Sequence, residues 1–270
     1  MTPDQFRIQW LKWQKKYEIK AYRVFNSAIK ESFTSLNPDS VTYENYKIVI
    51  PLNIMKDPIT RAYIDVYTTI GLTHGRLVGF GINRDVKRFN NDLFSSFFQG
   101  NVIDWIRDNV GYRIVSVSET IAKRIGRLVE VAAEQGLSVL EMQRYLRQKI
   151  NEPSFTRYQA LRIARTEVGA ATNHAATVAA DNSGIILEKV WISSKDPRTR
   201  RIPKNEYDHL HMDGVTVPMG EKFRVVSKTG IVDYLDNPCD PAGRAGDVIN
   251  CRCVVAHRPV RDKDGFVLTR

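Results

Sequence analysis

The stretch RIARTEVGAATNHAA, residues 162–176, decides how this chain is read. At about 100° per residue, Leu161, Ala164, Val168, Ala171, Ala175 and Val178 fall on one arc, as in a helix with a buried face. Arg162, Thr166, Asn173 and Thr177 fall opposite. Glu167 and His174 share a flank at the border of the apolar arc, where a carboxylate is partly desolvated and needs a partner. Ala170, Ala171, Ala175 and Ala176 let another backbone approach, so the helix is expected to pack centrally. Asn182, Ser183 and Gly184 end it.

Downstream, residues 185–192 are apolar at nearly every position, which predicts a strand buried on both faces. Asp196 and Pro197 break the pattern, and Asp213 with Gly214 signals a tight turn. FRVV and IVDYL, joined by Lys228, Thr229 and Gly230, predict a hairpin. NPCDPAGRAGD, residues 237–247, reads as a loop, and VINCRCVV as a closing strand.

Taken in order, RIARTEVG, a Trp followed by Asp and RTR, a His followed by DG, a PxDP loop and INCRC resemble the phage Mu F-like, or phage head morphogenesis, family over roughly Ser116 to Val255. The family's Arg and Glu match Arg165 and Glu167, and its Trp matches Trp191. Its Asp and Arg match Asp196 and Arg200, its His matches His209, and its paired cysteines match Cys251 and Cys253. One position departs: a glycine is common before the DP, and Cys239 stands there.

Upstream, residues 4–33 predict an amphipathic helix, with Phe6, Trp10, Trp13, Tyr17, Ala21, Val24 and Ala28 on one side and Lys12, Lys16, Arg23 and Lys30 near the other. That basic side is either an ordinary solvated face or a surface for DNA or a membrane. Residues 34–56 read as a loop with one short strand in KIVIPL. Asp57 and Pro58 start a helix. The glycines after Gly71 lack the arrangement of a phosphate-binding loop, and His74 reads as a turn or surface residue. Residues 84–109 return to helix, and Ser116 with Glu119, then Ser138 with Glu141, fit capping boxes for two further helices. The fold expected is α+β: a helical N-terminal half, then a mixed α+β domain with a small, largely antiparallel sheet. The boundaries expected are a helical region 1–110 that docks on portal or capsid, the family domain 111–258, and a C-terminal tail 259–270.

The 43% apolar content supports real cores, and the formal charge of +10 favours a polyanionic neighbour. No apolar run of about 18 residues is present, and the amino terminus does not resemble a signal peptide. Three late cysteines do not suggest a secreted disulfide framework and fit a reducing cytoplasm.

Three chemical readings compete with bland ones. His209, Cys239, Cys251 and Cys253 have the ligand types of a structural zinc site. Yet Cys251 and Cys253 are one residue apart, which in a strand makes a plain buried stripe of Ile249, Cys251, Cys253 and Val255. Buried core cysteines are the preferred reading, and no metal or cofactor is assigned. Glu167, His174 and His209 could be catalytic, but no nucleophile elbow, HExxH helix or nuclease-type acid cluster accompanies them, so no catalytic residue is assigned. Arg198, Arg200, Arg201 and Lys204 form a basic loop suited to phosphate, or to ion pairs with Asp196, Glu206 or Asp208.

The resemblance implies a minor head protein, needed for head assembly, that associates with portal and capsid or scaffold proteins. It implies a place in the virion, at the head interior or portal vertex, after assembly in the host cytoplasm. Double-stranded DNA would be contacted without sequence reading during packaging or ejection, with Arg198, Arg200, Arg201 and Lys204 as the contact. Some relatives carry a toxin after the domain, whereas here 17 residues follow Cys253. The competing class is an enzyme, ADP-ribosyltransferase-like or a metal-dependent nuclease.

Overall fold

A computed structural model describes residues 2–34, 36–53, 57–84 and 89–270. The first half is helical. Helix α1 (Pro3–Thr34) buries Trp10, Ala21, Phe25, Ala28 and Phe33, at helical spacing, and leaves Lys12, Lys16, Arg23 and Lys30 exposed. KIVIPL lies within α2 (Tyr46–Asn53), so the strand expected there is a helix. A run of apolar residues this short does not separate strand from buried helix. Helix α3 (Asp57–Asp65) begins at the Asp-Pro signal and continues through a π-helical turn (Val66–Gly71) into α4 (Leu72–Ile82).

The glycines of α4 serve packing. A Cβ on Gly75 would lie 3.0 Å from the Ala175 carbonyl oxygen, and one on Gly71 would lie 3.5 Å from that of Ala171. His74, carried inward between them, is fully buried, which corrects its reading as a turn or surface residue. Ring edges of Trp10, Trp13 and Tyr17 surround it at centroid distances of 5.4, 5.5 and 5.8 Å.

Helix α5 (Asn91–Glu134) starts at an Asn90 cap, whose side chain accepts from the backbone N–H groups of Asp92 and Leu93. Residues 85–88 of the helix expected from residue 84 lie outside the described residues. The new helix start expected at Ser116 is absent: α5 runs through it, because Val110, Ile114, Ile121, Ile125 and Val129 continue one buried stripe. The boundary expected after residue 110 therefore falls inside α5, and the main core holds residues from both sides of it. Ser138 and Glu141 do form a capping box, opening α6 (Val139–Asn151). Helix α7 (Pro153–Asp181) carries RIARTEVGAATNHAA and is buried almost all round from Ile163 to Ala180. Of its predicted polar side, Thr166 and Asn173 are buried and bonded to Asn250 and Val255, while Arg162 and Thr177 are half-buried.

Strand β1 (Leu187–Ile192) is central to a three-stranded antiparallel sheet, between β2 (Thr216–Pro218) and β5 (Val254–Pro259). One face, with Val190, Ile192 and Val254, packs on Trp10 of α1. Trp191 joins the main core on the other, where its ring meets Phe223 edge-on at 5.3 Å, so both faces need apolar residues. Phe223 belongs to the predicted hairpin, β3 (Phe223–Val226) with β4 (Val232–Leu235).

VINCRCVV is not one strand. Its start closes a short helix, α8 (Ala245–Val248), Asn250 turns with φ of 60°, and β5 begins only at Val254. The predicted stripe also fails because Ile249 is partly exposed while Cys251, Cys253 and Val255 are buried. The C-terminal segment is docked: Ile186 N–H donates to the Leu268 carbonyl, and Arg270 N–H to that of Gly184, both at 2.9 Å.

Candidate functional site

The turn from Ile249 to Cys253 gathers the motif residues. Asn250 N–H donates to Thr166 Oγ1 of α7 at 3.0 Å, and Arg165 reaches the Asn250 side-chain oxygen at 3.5 Å. Arg200 donates to the Ile249 carbonyl. Asp196 accepts from Arg252 at 2.5 Å, while Trp10 Nε1–H donates to the Arg252 carbonyl at 3.2 Å. Asn173 donates to the Cys253 carbonyl at 3.4 Å and accepts from Val255 N–H at 2.9 Å. An irregular buried backbone is thereby satisfied by side chains from three directions.

Inside this turn lies a thiol–imidazole cluster. His209 Nδ1 is 3.4 Å from Cys251 Sγ and 3.6 Å from Cys253 Sγ, and His209 Nε2 is 2.5 Å from Asp247 Oδ1. Cys253 N–H donates to Cys251 Sγ at 3.4 Å. Cys239 Sγ points at the Cys251 carbonyl oxygen at 3.6 Å, and none of the three cysteines is in a disulfide. Trp191 lies edge-on to His209 at 5.4 Å. Burial would lower the His209 pKa, but the facing Cys251 and the Asp247 carboxylate outweigh it and hold it up at about 9. Hydrogen bonds from Cys239 and Cys253 pull the Cys251 thiol well below its ordinary range. The arrangement stabilises a thiolate, the form that ligates a metal or attacks an electrophile. Attack requires access, and Cys251, Cys253, His209 and Asp247 are all at most 2% exposed.

Glu167 occupies a different setting. Its carboxylate accepts from Tyr67 Oη at 2.8 Å and Tyr63 Oη at 3.3 Å, and Arg113 Nη1 lies 3.4 Å from both its oxygens. Burial, then the Glu167 charge, pushes both phenols well above their ordinary range. This is the partner that the sequence demanded for Glu167, although Arg113, Tyr63 and Tyr67 carried no sequence signal of their own. His174 stacks on Trp105 with centroids 3.8 Å apart, and burial lowers its pKa to about 4. Glu167, His174 and His209 thus have separate partners rather than one shared constellation. A cleft of about 550 Å³ lies beside Glu167, lined by Tyr112, Arg113, Arg162, Arg244 and Ile249, but by none of the cysteines.

Of the basic loop, Arg198 pairs with Asp196 at 3.4 Å, Arg200 holds the Ile249 carbonyl, and Arg201 donates to the Asp196 carbonyl at 3.2 Å. Lys204 is exposed. Glu206 instead pairs with Lys228, and Asp208 caps the backbone N–H of His211.

Fold and site define a helical scaffold whose α+β end is closed by a buried side-chain knot. Residues 123–256, the segment that holds His209, Cys251 and Cys253, match the family described as Phage Mu protein F like protein. Through this segment the chain belongs to the phage Mu F-like family, and it is a phage head-related protein. It is also similar to a protein of Enterococcus faecalis named NAD(+)--arginine ADP-ribosyltransferase EFV, 29% identical over 145 residues. That match covers 52% of this chain and 26% of the relative, so the chain spans about a quarter of that protein's length. No solved structure matches. No helix among the described residues is long and apolar enough to cross a membrane.

Proposed function

We propose that this chain is a minor head protein that acts at the portal vertex by binding rather than by turnover. The observation that carries the reading is the burial of the motif residues: Trp191, His209, Cys251 and Cys253 brace a fold instead of lining an opening. Exposed apolar side chains are present elsewhere. Leu93 and Phe97, one turn apart on α5, are 62% and 48% exposed, and Phe80 of α4 is 57% exposed. Singly such residues are ordinary, but together on neighbouring helices they suit a head-protein partner. DNA contact would fall on the exposed Lys12, Lys15, Lys16, Lys20 and Arg23 of α1, since the Arg198–Arg201 loop is largely engaged with its own domain. Such contact reads no sequence and weakens steeply with salt.

The test is co-expression with the neighbouring portal protein, sized by light scattering. A stoichiometric complex is expected, and Leu93→Asp with Phe97→Asp should dissolve it. No complex at any salt concentration would overturn the portal role. ADP-ribosyl transfer from NAD to arginine, lost in Glu167→Gln, would overturn the binding-only role and favour the enzyme reading.

A further inference from the structure

We propose that His209, Cys251 and Cys253 ligate one structural zinc ion, and that Cys239, whose sulfur lies outside that close trio on the Cys251 carbonyl, moves in as the fourth protein ligand. One imidazole nitrogen and two sulfurs lie within 4.8 Å of one another, all buried. These are borderline and soft donors, the set that zinc takes in closed tetrahedral sites.

Three further features point the same way. The His209 ring is oriented by Asp247 on Nε2, which leaves Nδ1 directed at the sulfurs; a carboxylate behind a histidine is the usual support of a zinc ligand. The Cys253 N–H turned onto Cys251 Sγ favours a thiolate there, and this curled backbone brings together two cysteines that an extended strand would hold farther apart. Lastly, Cys239 adopts φ of 66°, a left-handed conformation that glycine takes without cost. A cysteine held there, with its sulfur filling the space left by the missing Cβ of Gly169, is explained by work for the sulfur.

Charge balance also favours the ion. Three buried thiolates and a neutral imidazole carry a net charge of −1 with a divalent cation among them and −3 without it, and the thiol protons leave to solvent on binding. The fully buried Asp247 behind the histidine has one oxygen without a partner.

The test uses the full chain, purified under reducing conditions without chelator and analysed for metals. One zinc per chain is expected. Chelator should remove it with a fall in Tm, and added zinc should restore Tm. Cobalt added to the stripped protein should give, at one equivalent, a thiolate-to-metal charge-transfer band and tetrahedral visible bands. His209→Ala, Cys251→Ser and Cys253→Ser should each lose that spectrum, while Cys239→Gly should keep a weaker-binding site with one thiolate fewer. Absence of zinc together with no tetrahedral cobalt spectrum in the wild-type chain would overturn the proposal, whatever the variants do. So would undiminished cobalt uptake by His209→Ala.

Discussion

His209 Nε2 lies 2.5 Å from Asp247 Oδ1, and both side chains are buried, so the carboxylate holds one ring nitrogen and leaves Nδ1 facing the cysteines. Asp247 stands on the short helix α8, two residues before the turn that bears Asn250, so the turn and the ring are positioned together.

Removing that support should be felt in two ways. Asp247→Ala leaves a buried imidazole N–H unpaired, at a cost of about 1–3 kcal/mol of stability. It should also weaken metal uptake by about 10- to 100-fold, the usual effect of losing a carboxylate behind a histidine ligand. Urea denaturation and competition with a chelating dye measure the two separately.

The Arg113–Glu167 pair should behave as a unit. Glu167→Gln keeps an acceptor for Tyr67 but strands a buried guanidinium, and should cost about 3–5 kcal/mol. Adding Arg113→Met should recover much of that loss, because the stranded charge goes with it. A double-mutant cycle in urea gives the coupling, and strictly additive losses would show the pair to be independent.

These two sites were legible in the sequence to different depths. Glu167 could be seen to need a partner from its place on the helix border, but Arg113 lies 54 residues away in sequence, on α5, where no local pattern marks it. The four zinc-type residues could be collected by chemistry, yet the strand read through VINCRCVV hid the convergence of His209, Cys251 and Cys253. What defeated that reading was the positive φ at Asn250, which a lone Asn among apolar residues signals weakly. The helices of the first half were legible from period, except in KIVIPL, where a short apolar run reads equally as a strand, and where a buried face runs past a capping-type pair, as at Ser116. His74 was misplaced because glycines suggest turns locally, while here they admit α7.

His74 makes acid stability testable. Burial lowers its pKa to about 3, against about 6.5 in the unfolded chain, and neither ring nitrogen has a hydrogen-bond partner. Above pH 6.5 both states are neutral there and stability is unaffected. As pH falls from 6.5 toward 3 the unfolded chain takes up a proton that the folded one refuses, so stability drops. The loss from this group approaches about 1.4 kcal/mol per pH unit. His257, lowered to about 3 by burial and then by Lys189, adds in the same direction. His74→Phe should flatten the slope of unfolding free energy against pH in this window, whatever it does to stability at pH 7. An unchanged slope would mean that His74 titrates normally.

Gly169 and Cys239 share one small volume. A Cβ on Gly169 would sit 2.5 Å from Cys239 Sγ and 3.3 Å from its Cβ, so Gly169→Ala must displace the cysteine. Overpacking of this kind costs about 1–3 kcal/mol. Cys239→Gly empties the contested space and relieves the left-handed backbone at that position, so on the Gly169→Ala background it should restore stability, although each change alone alters the site. Urea midpoints of the two single variants and the double variant decide it. Rescue would place the conflict at the sulfur itself. Failure of rescue would show that the sulfur is not the source of the cost, since the Cys251 carbonyl, 3.6 Å from the same added methyl, is at ordinary contact distance.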